Sequence, residues 1–138
     1  MITCHILDTC ALIAFFKKET GFEKMIQFFE YAGDQKISLF MHKLNLLEVY
    51  YGFYRDDGNE QAESVLMDFF SLPVIVIDDL TDPVFRESGR LKALYNISLA
   101  DSVALALAAV RKGSLITADH HEFDLIEQKE KINFSWVR

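Results

Sequence analysis

Four carboxylates in separate segments of the chain have the residue types and positions expected of a metal site. Asp8 directly follows an apolar run of strand length, and Asp119 follows the apolar run "SLIT" at one residue's remove. Glu48 and Asp101 lie within patterns typical of helices. Hard divalent cations prefer oxygen ligands, and Mg²⁺ is usually held by a few carboxylates and waters. These four acids therefore predict a divalent-metal centre suited to hydrolysis.

Each acid taken singly has a simpler structural explanation. Aspartate is a favoured N-cap residue, so Asp8, Asp101 and Asp119 are each explained slightly better, when considered alone, as the start of a helix. Ser98 and Asp101 have the spacing of a capping box ahead of the apolar run "VALALAAV". No single cap, salt bridge or surface helix, however, accounts for all four acids in four separate segments.

Glu48 is the acid that is hardest to explain as a surface residue. In a helix it shares a face with Leu44 and Tyr51, and aromatic residues surround it in "EVYYGFY". A buried, unpaired carboxylate costs on the order of several kcal/mol or becomes protonated. A metal ion would remove that cost. Arg55, two turns along the same face, is the alternative partner, and contact with water at the rim of the helix is another alternative.

Strand-length apolar runs alternate along the chain with the helical patterns that must position these acids. The predicted strands are "HILDT", "ISLFM", "VIVI", "SLIT" and "FSWV". The predicted helices cover 22–32, 44–55, 59–72, a segment after Asp82–Pro83, and 98–110. This alternation predicts an α/β domain with a mainly parallel sheet. Ligands bind such sheets at the carboxyl ends of the strands, where Asp8 and Asp119 fall.

Composition limits the class of protein. The 138 residues are 51% apolar and 25% charged, which predicts one globular domain over residues 1–138. The net charge of −7 favours, by itself, an acidic solvated surface over a nucleic-acid partner. Two bound divalent cations would change −7 to −3.

The same features predict a cytoplasmic protein with no membrane segment. Cys4 and Cys10 form no disulfide framework, which favours a reducing compartment. The start "MITCHILDTC" lacks the features of a signal peptide. No apolar stretch approaches the roughly 20 residues that span a bilayer.

The segments that carry the acids also resemble a known family. In order and spacing, "LDT" at 7–9, "NLLEVYYG" at 45–52, "SLADSVALALA" at 98–108 and "LITADHHEF" at 115–123 resemble the motifs of PIN-domain nucleases. The chain is most similar to the small VapC-type toxins of prokaryotic toxin–antitoxin pairs, and "FSWVR" resembles their closing strand. The resemblance implies a three-layer α/β/α PIN-like fold with about five strands. It also implies cleavage of RNA that depends on Mg²⁺ or Mn²⁺.

The resemblance assigns roles to individual residues. By motif, Asp8, Glu48 and Asp101 match the family's most regular acids, and Asp119 matches a more variable fourth acid. Among polar residues that support the site, Thr9 and Thr117 are indicated by their places beside Asp8 and Asp119, and the family pattern matches Asn45 and Thr117. The segment "TADHHEF" is longer than the family pattern by a residue, so Glu122 and Asp124 stay open as additional ligands.

The resemblance also implies binding partners, and two alternative functions stay open. It predicts a metal-dependent endoribonuclease with one or two metal ions, acting as the toxin of a type II pair. An RNA substrate, a cognate antitoxin and a homodimer are the expected partners. A PIN nuclease that acts in RNA maturation or DNA metabolism is one alternative. A catalytically silent PIN-like binding module is another.

Overall fold

Five strands form a single sheet with helices on both sides in the computed structural model, which describes residues 2–138. The strands are β1 (Thr3–Leu7), β2 (Ile37–His42), β3 (Ile75–Ile77), β4 (Ser114–Thr117) and β5 (Asn133–Trp136). The helices are α1 (Thr9–Phe16), α2 (Phe22–Gly33), α3 (Lys43–Asp57), α4 (Asn59–Phe70), α5 (Asp82–Leu94), α6 (Leu99–Val110) and α7 (Phe123–Lys129).

Every strand of the sheet runs parallel to its neighbours. The strand order is β3-β2-β1-β4-β5, which places β1 at the centre. Parallel strands end at a common edge, so residues that follow β1 and β4 emerge close together. The prediction of a mainly parallel sheet of about five strands is confirmed.

Two apolar cores, one on each face of the sheet, give the fold its three layers. Successive side chains of a strand point to opposite faces. Accordingly, Leu7 and Ile116 pack with α1–α4 in one core, and Ile6 and Leu115 pack with α5–α7 in the other. All four side chains are fully buried, as expected for strands covered by helices on both faces. The predicted α/β/α architecture is confirmed.

The first strand differs from its predicted limits. The segment "HILDT" was expected to be extended, but β1 covers Thr3–Leu7 and α1 begins at Thr9. The reason is local, because the Asp8 carboxylate accepts a hydrogen bond of 2.8 Å from the Ala11 backbone N–H. That contact is a helix N-cap, which ends the strand and starts the helix.

Helix α6 is the most deeply buried helix of the domain. It contacts α5, α3 and strands β1, β2 and β4, and its residues 102–108 are all buried. Ser98 is its N-cap and accepts a hydrogen bond of 3.0 Å from the Asp101 N–H, as the capping pattern predicts. Among residues 2–138, no helix combines the length and apolar character needed to cross a bilayer.

Candidate active site

Asp8 lies at the carboxyl end of the central strand and is only 1% exposed. Its backbone N–H donates to Ile116 O at 3.2 Å, which ties it to the neighbouring strand β4. The pKa of Asp8 is raised to about 7, chiefly by burial and to a lesser degree by the charges of Asp101 and Asp119. Hydrogen bonds from Thr117 and Ala11 act in the opposite direction. Asp8 is therefore both a helix cap and a buried acid that is costly to ionise.

Thr117 connects Asp8 to the next acid. It is the last residue of β4 and is fully buried. Its side chain hydrogen-bonds Asp8, and its Oγ1 accepts a 3.0 Å hydrogen bond from the Asp119 N–H. The Asp119 carboxylate accepts a 2.9 Å bond from the His121 N–H, as in an Asx turn. Thr117 thus contacts both Asp8 and the backbone of Asp119.

Asp101 reaches the same edge of the sheet from the first turn of α6. The pKa of Asp101 is raised to about 6, mainly by partial burial. The negative charges of Glu48 and Asp119 also raise this pKa, and the effect of Glu48 is the larger of the two. Hydrogen bonds with Ser98 lower it. The capping role and the position beside the other acids therefore coexist in one residue.

Glu48 projects from α3 and is held by two hydroxyl groups. Its Oε1 accepts a 2.7 Å hydrogen bond from Thr9, and its Oε2 accepts one of 3.3 Å from Tyr51. Arg55, the alternative partner considered for Glu48, donates instead to Asp56 at 3.1 Å. Tyr51 is a contact that the sequence analysis placed on the same face without assigning it a role.

Asn45 completes the shell around Glu48. It is fully buried, and its Oδ1 lies 3.1 Å from the hydroxyl oxygen of Thr9. Its Nδ2 has no hydrogen-bond partner within the part of the chain that the structure describes. A buried donor without a partner costs about 1–3 kcal/mol. Because Asn45 is linked to Glu48 through Thr9, a carboxylate or a water held by a metal fits as the missing partner of its amide.

The structure thus brings to one edge of the sheet the four acids that the sequence predicted, which we call the four-acid cluster: Asp8, Glu48, Asp101 and Asp119. Within residues 2–138 none of them forms an ion pair with a lysine, arginine or histidine. Mutual repulsion between them is therefore uncompensated, and a hard divalent cation would relieve it. The donor chemistry fits Mg²⁺ or Mn²⁺.

The arrangement is nevertheless not that of a closed metal site. Across residues 2–138, no group of three or more Asp, Glu, His or Cys side chains is arranged so that it could hold a metal ion. Glu48 is hydrogen-bonded to Thr9 and Tyr51, and Asp119 to the backbone of His121. Shared ligation of one ion therefore requires side chains of the cluster to rearrange.

The two additional acids considered from the sequence contact histidines. Asp124 accepts from His120 Nδ1 at 2.8 Å, and Glu122 lies 3.6 Å from His121 Nε2. The His120 ring also stacks on Trp136, with 3.9 Å between ring centroids. These contacts fix the loop after Asp119 rather than the site itself.

One cation near the cluster was missed in the sequence. The Arg138 Nε donates to Ala118 O at 3.2 Å, directly beside Asp119 along the chain. Its guanidinium also lies 3.7 Å from Glu19. No motif signals this placement, because the contact with Ala118 depends on β5 pairing with β4.

Comparisons with known proteins agree with this fold. VapBC from Salmonella typhimurium, solved bound to DNA, superimposes with a TM-score of 0.75 and 19% identity, covering 100% of both chains. VapBC2 from Rickettsia felis, bound to a promoter DNA fragment, gives 0.74 and 16%, covering 96% of this chain and 98% of the other. VapC20 from Mycobacterium tuberculosis, a sarcin–ricin loop cleaving toxin, gives 0.66 and 13%, covering 88% and 94%.

Sequence comparison supplies the family itself. No curated protein matches the chain. The sequence model of the PIN domain matches residues 5–129, a span that contains all four acids. The chain therefore belongs to the PIN domain family.

Proposed function

We propose that this protein is a metal-dependent endoribonuclease that hydrolyses RNA phosphodiester bonds and acts as the toxin of a type II toxin–antitoxin pair. The family consists of nucleases that generally use divalent metal ions. The observation that carries the proposal is the four-acid cluster, in which one buried carboxylate, Asp8, and three partly buried ones lie together without an ion-pair partner in residues 2–138. A protein that only bound a partner would gain nothing from so costly an arrangement.

The four acids of the cluster have different roles in the proposed metal site. Asp8, Glu48 and Asp101 would hold a first divalent cation, and Asp119 would complete that site or help to hold a second. Bound Mg²⁺ or Mn²⁺ supplies a water of lowered pKa and neutralises charge on the scissile phosphate.

The polar residues around the acids orient them. Thr9 fixes Glu48 through a 2.7 Å hydrogen bond, and Thr117 fixes Asp8 and the backbone of Asp119. Asn45 places a free amide donor beside these ligands. Such outer contacts typically change metal affinity or activity by about 10- to 100-fold when removed.

The proposed partners follow from the same relatives. The Salmonella and Rickettsia structures are toxin–antitoxin complexes, and this supports a cognate antitoxin for the present chain. The VapC20 neighbour supports RNA as the substrate. We further propose a homodimer in the cytoplasm. Sizing the purified chain alone and with the product of its genomic neighbour tests both interactions, and a monomer indifferent to that neighbour contradicts both.

Cleavage of an RNA panel tests the reaction. The wild-type chain should cleave RNA with Mn²⁺ and should lose that activity in EDTA. Equal cleavage in both conditions overturns the metal mechanism. Expression without a partner tests the toxin role, because the wild type should arrest growth whereas Asp101→Asn should not. If both are harmless and neither cleaves RNA, the toxin proposal is wrong.

A further inference from the structure

A small open cavity adjoins the four-acid cluster and is not used by the proposed mechanism. Its volume is about 310 Å³, and one of its walls is the Glu48 side chain. Its rim consists of large apolar side chains left in solvent, with Leu47 52%, Tyr51 46% and Leu99 59% exposed. Exposed apolar side chains grouped around one cavity indicate a binding surface.

We propose that this cavity binds one unstacked base of the nucleic-acid substrate, at a nucleotide next to the scissile phosphate. The proposal rests on the nuclease function proposed above and deepens it. Leu44, Leu47 and Leu99 would contact the faces of the base together with the Tyr51 ring, and Ser98 would contact its edge.

The chemistry of the lining selects a base over a phosphate. The cavity has no lysine, arginine or histidine in its lining, so a phosphate would find no counter-charge there. Leucine and tyrosine side chains instead match the apolar faces of a base, which stack on aromatic rings in single-stranded RNA complexes. A base therefore fits the cavity while its phosphate points toward the acids.

Two hydroxyl groups are free to contact the edge of that base. The Ser98 Oγ accepts from the Asp101 N–H at 3.0 Å, and the Ser98 side chain also hydrogen-bonds the Asp101 carboxylate, which leaves one oxygen lone pair of Ser98 to accept. The Tyr51 hydroxyl donates to Glu48 at 3.3 Å, which leaves an oxygen lone pair to accept. Each of these residues thus joins the cavity directly to a member of the four-acid cluster.

A second copy of the chain is the competing occupant. A second apolar cavity of about 400 Å³ beside α5 and α6, lined by Leu80 and Phe85 among others, shares Leu44 and Leu99 with the first cavity. An apolar protein surface laid over the cavity, however, would bury the Glu48 carboxylate away from water, which is costly without a cation. A planar base at the end of a flexible strand leaves that carboxylate free for the metal.

The test compares Leu99→Ala with Met67→Ala on RNA oligonucleotides that differ only in the base on either side of the cut. Met67 is 75% exposed on α4, so its truncation is a matched surface control. At one position the wild type and the control should discriminate between an intact base and an abasic site, and Leu99→Ala should reduce that discrimination about 10-fold, because contact with the face of a base is worth about 1–3 kcal/mol. An oligonucleotide abasic at that position should be cleaved equally by all three proteins.

Unchanged discrimination in Leu99→Ala overturns the proposal. So does a result in which Leu99→Ala converts a dimer to a monomer and leaves base preference intact, because the surface then joins two copies. A binding measurement separates this proposal from the nuclease proposal. Methyl resonances of Leu47 and Leu99 should shift with intact single-stranded RNA and not with the abasic strand, whether or not any RNA is cleaved.

Discussion

Two clusters of carboxylates in this protein have opposite electrostatics. In the arginine-centred cluster, Arg90 contacts Glu87 and Glu130, and the Tyr95 hydroxyl donates to Glu130 at 2.6 Å. The hydrogen bond from Arg90 lowers the pKa of Glu130. In the four-acid cluster, burial and mutual repulsion raise the pKa of Asp8 to about 7 and that of Asp101 to about 6.

The difference separates carboxylates that have a counter-charge within the chain from those that we propose to bind a cation. Glu130 ties α7 to α5 and has its counter-charge within the chain. The four-acid cluster has hydroxyl and backbone donors but no ion-pair partner in residues 2–138, so a bound cation would stabilise the ionised forms of Asp8 and Asp101 further. Replacing an acid in each cluster should therefore have opposite consequences for activity and for stability.

The largest expected effect is on catalysis. Asp101→Asn should lower kcat/KM for RNA cleavage with Mn²⁺ by at least about 100-fold, because removing even an outer-shell partner of a metal ligand costs up to that amount. Glu130→Gln is the matched control from the arginine-centred cluster and should stay within about twofold of wild type. Equal activity of Asp101→Asn and wild type would show that the cluster is not the catalytic centre.

The next largest effect is on the free energy of unfolding, which should increase when an acid of the cluster is replaced. The folded chain keeps a proton on Asp8 up to about pH 7, whereas the unfolded chain loses it near the ordinary pKa of 3.8. Wild-type stability should therefore fall as pH rises between these values. Asp8→Asn keeps the helix cap and removes this cost, so it should be more stable near neutral pH by on the order of a few kcal/mol.

Urea unfolding in EDTA measures this prediction. The difference in unfolding free energy between Asp8→Asn and wild type should widen as pH is raised from about 5 to about 8. A difference that is constant with pH, or a less stable variant, would mean that Asp8 is compensated in the folded state and that its capping role dominates.

A bound metal ion should offset the repulsion within the four-acid cluster, and it should do so only in proteins that keep all four acids. Mn²⁺ at about ten times its Kd should raise the unfolding free energy of the wild type by about 1.4 kcal/mol. Asp101→Asn should show little of this increase, and Glu130→Gln should show all of it. Thermal melts with and without Mn²⁺ provide the measurement, and equal stabilisation of all three proteins would place the ion outside the cluster.

The smallest expected effect lies in the arginine-centred cluster. Glu130→Gln should lower the unfolding free energy at neutral pH by about 1 kcal/mol, because the pair is partly exposed. The lowered pKa of Glu130 means that its contribution is present above its ordinary value of 4.5 and is lost as pH falls through the lowered value. The loss seen in the variant should therefore shrink in acid, the reverse of the trend expected at Asp8.

The local sequence predicted most of the elements because apolar periodicity encodes which face of an element is buried. Helix α6 and its Ser98 cap follow directly from "SLADSVALALAAV". The limit of β1 was wrong at Asp8, because a single side chain both ends a strand and caps a helix. Such competition between two local structures is decided by neighbours that periodicity does not describe.

The sequence by itself determined the acids, the alternation of strands and helices, and hence the class of fold. Only the tertiary structure decided that β1 lies between β2 and β4, and this order is what brings Asp8 to Thr117 and Asp119. It also decided that Glu48 is bound by Thr9 and not by Arg55. The physical reason is the separation along the chain over which each signal acts. Side-chain patterns record local burial, whereas the pairing of segments that are distant in sequence depends on how both cores pack together.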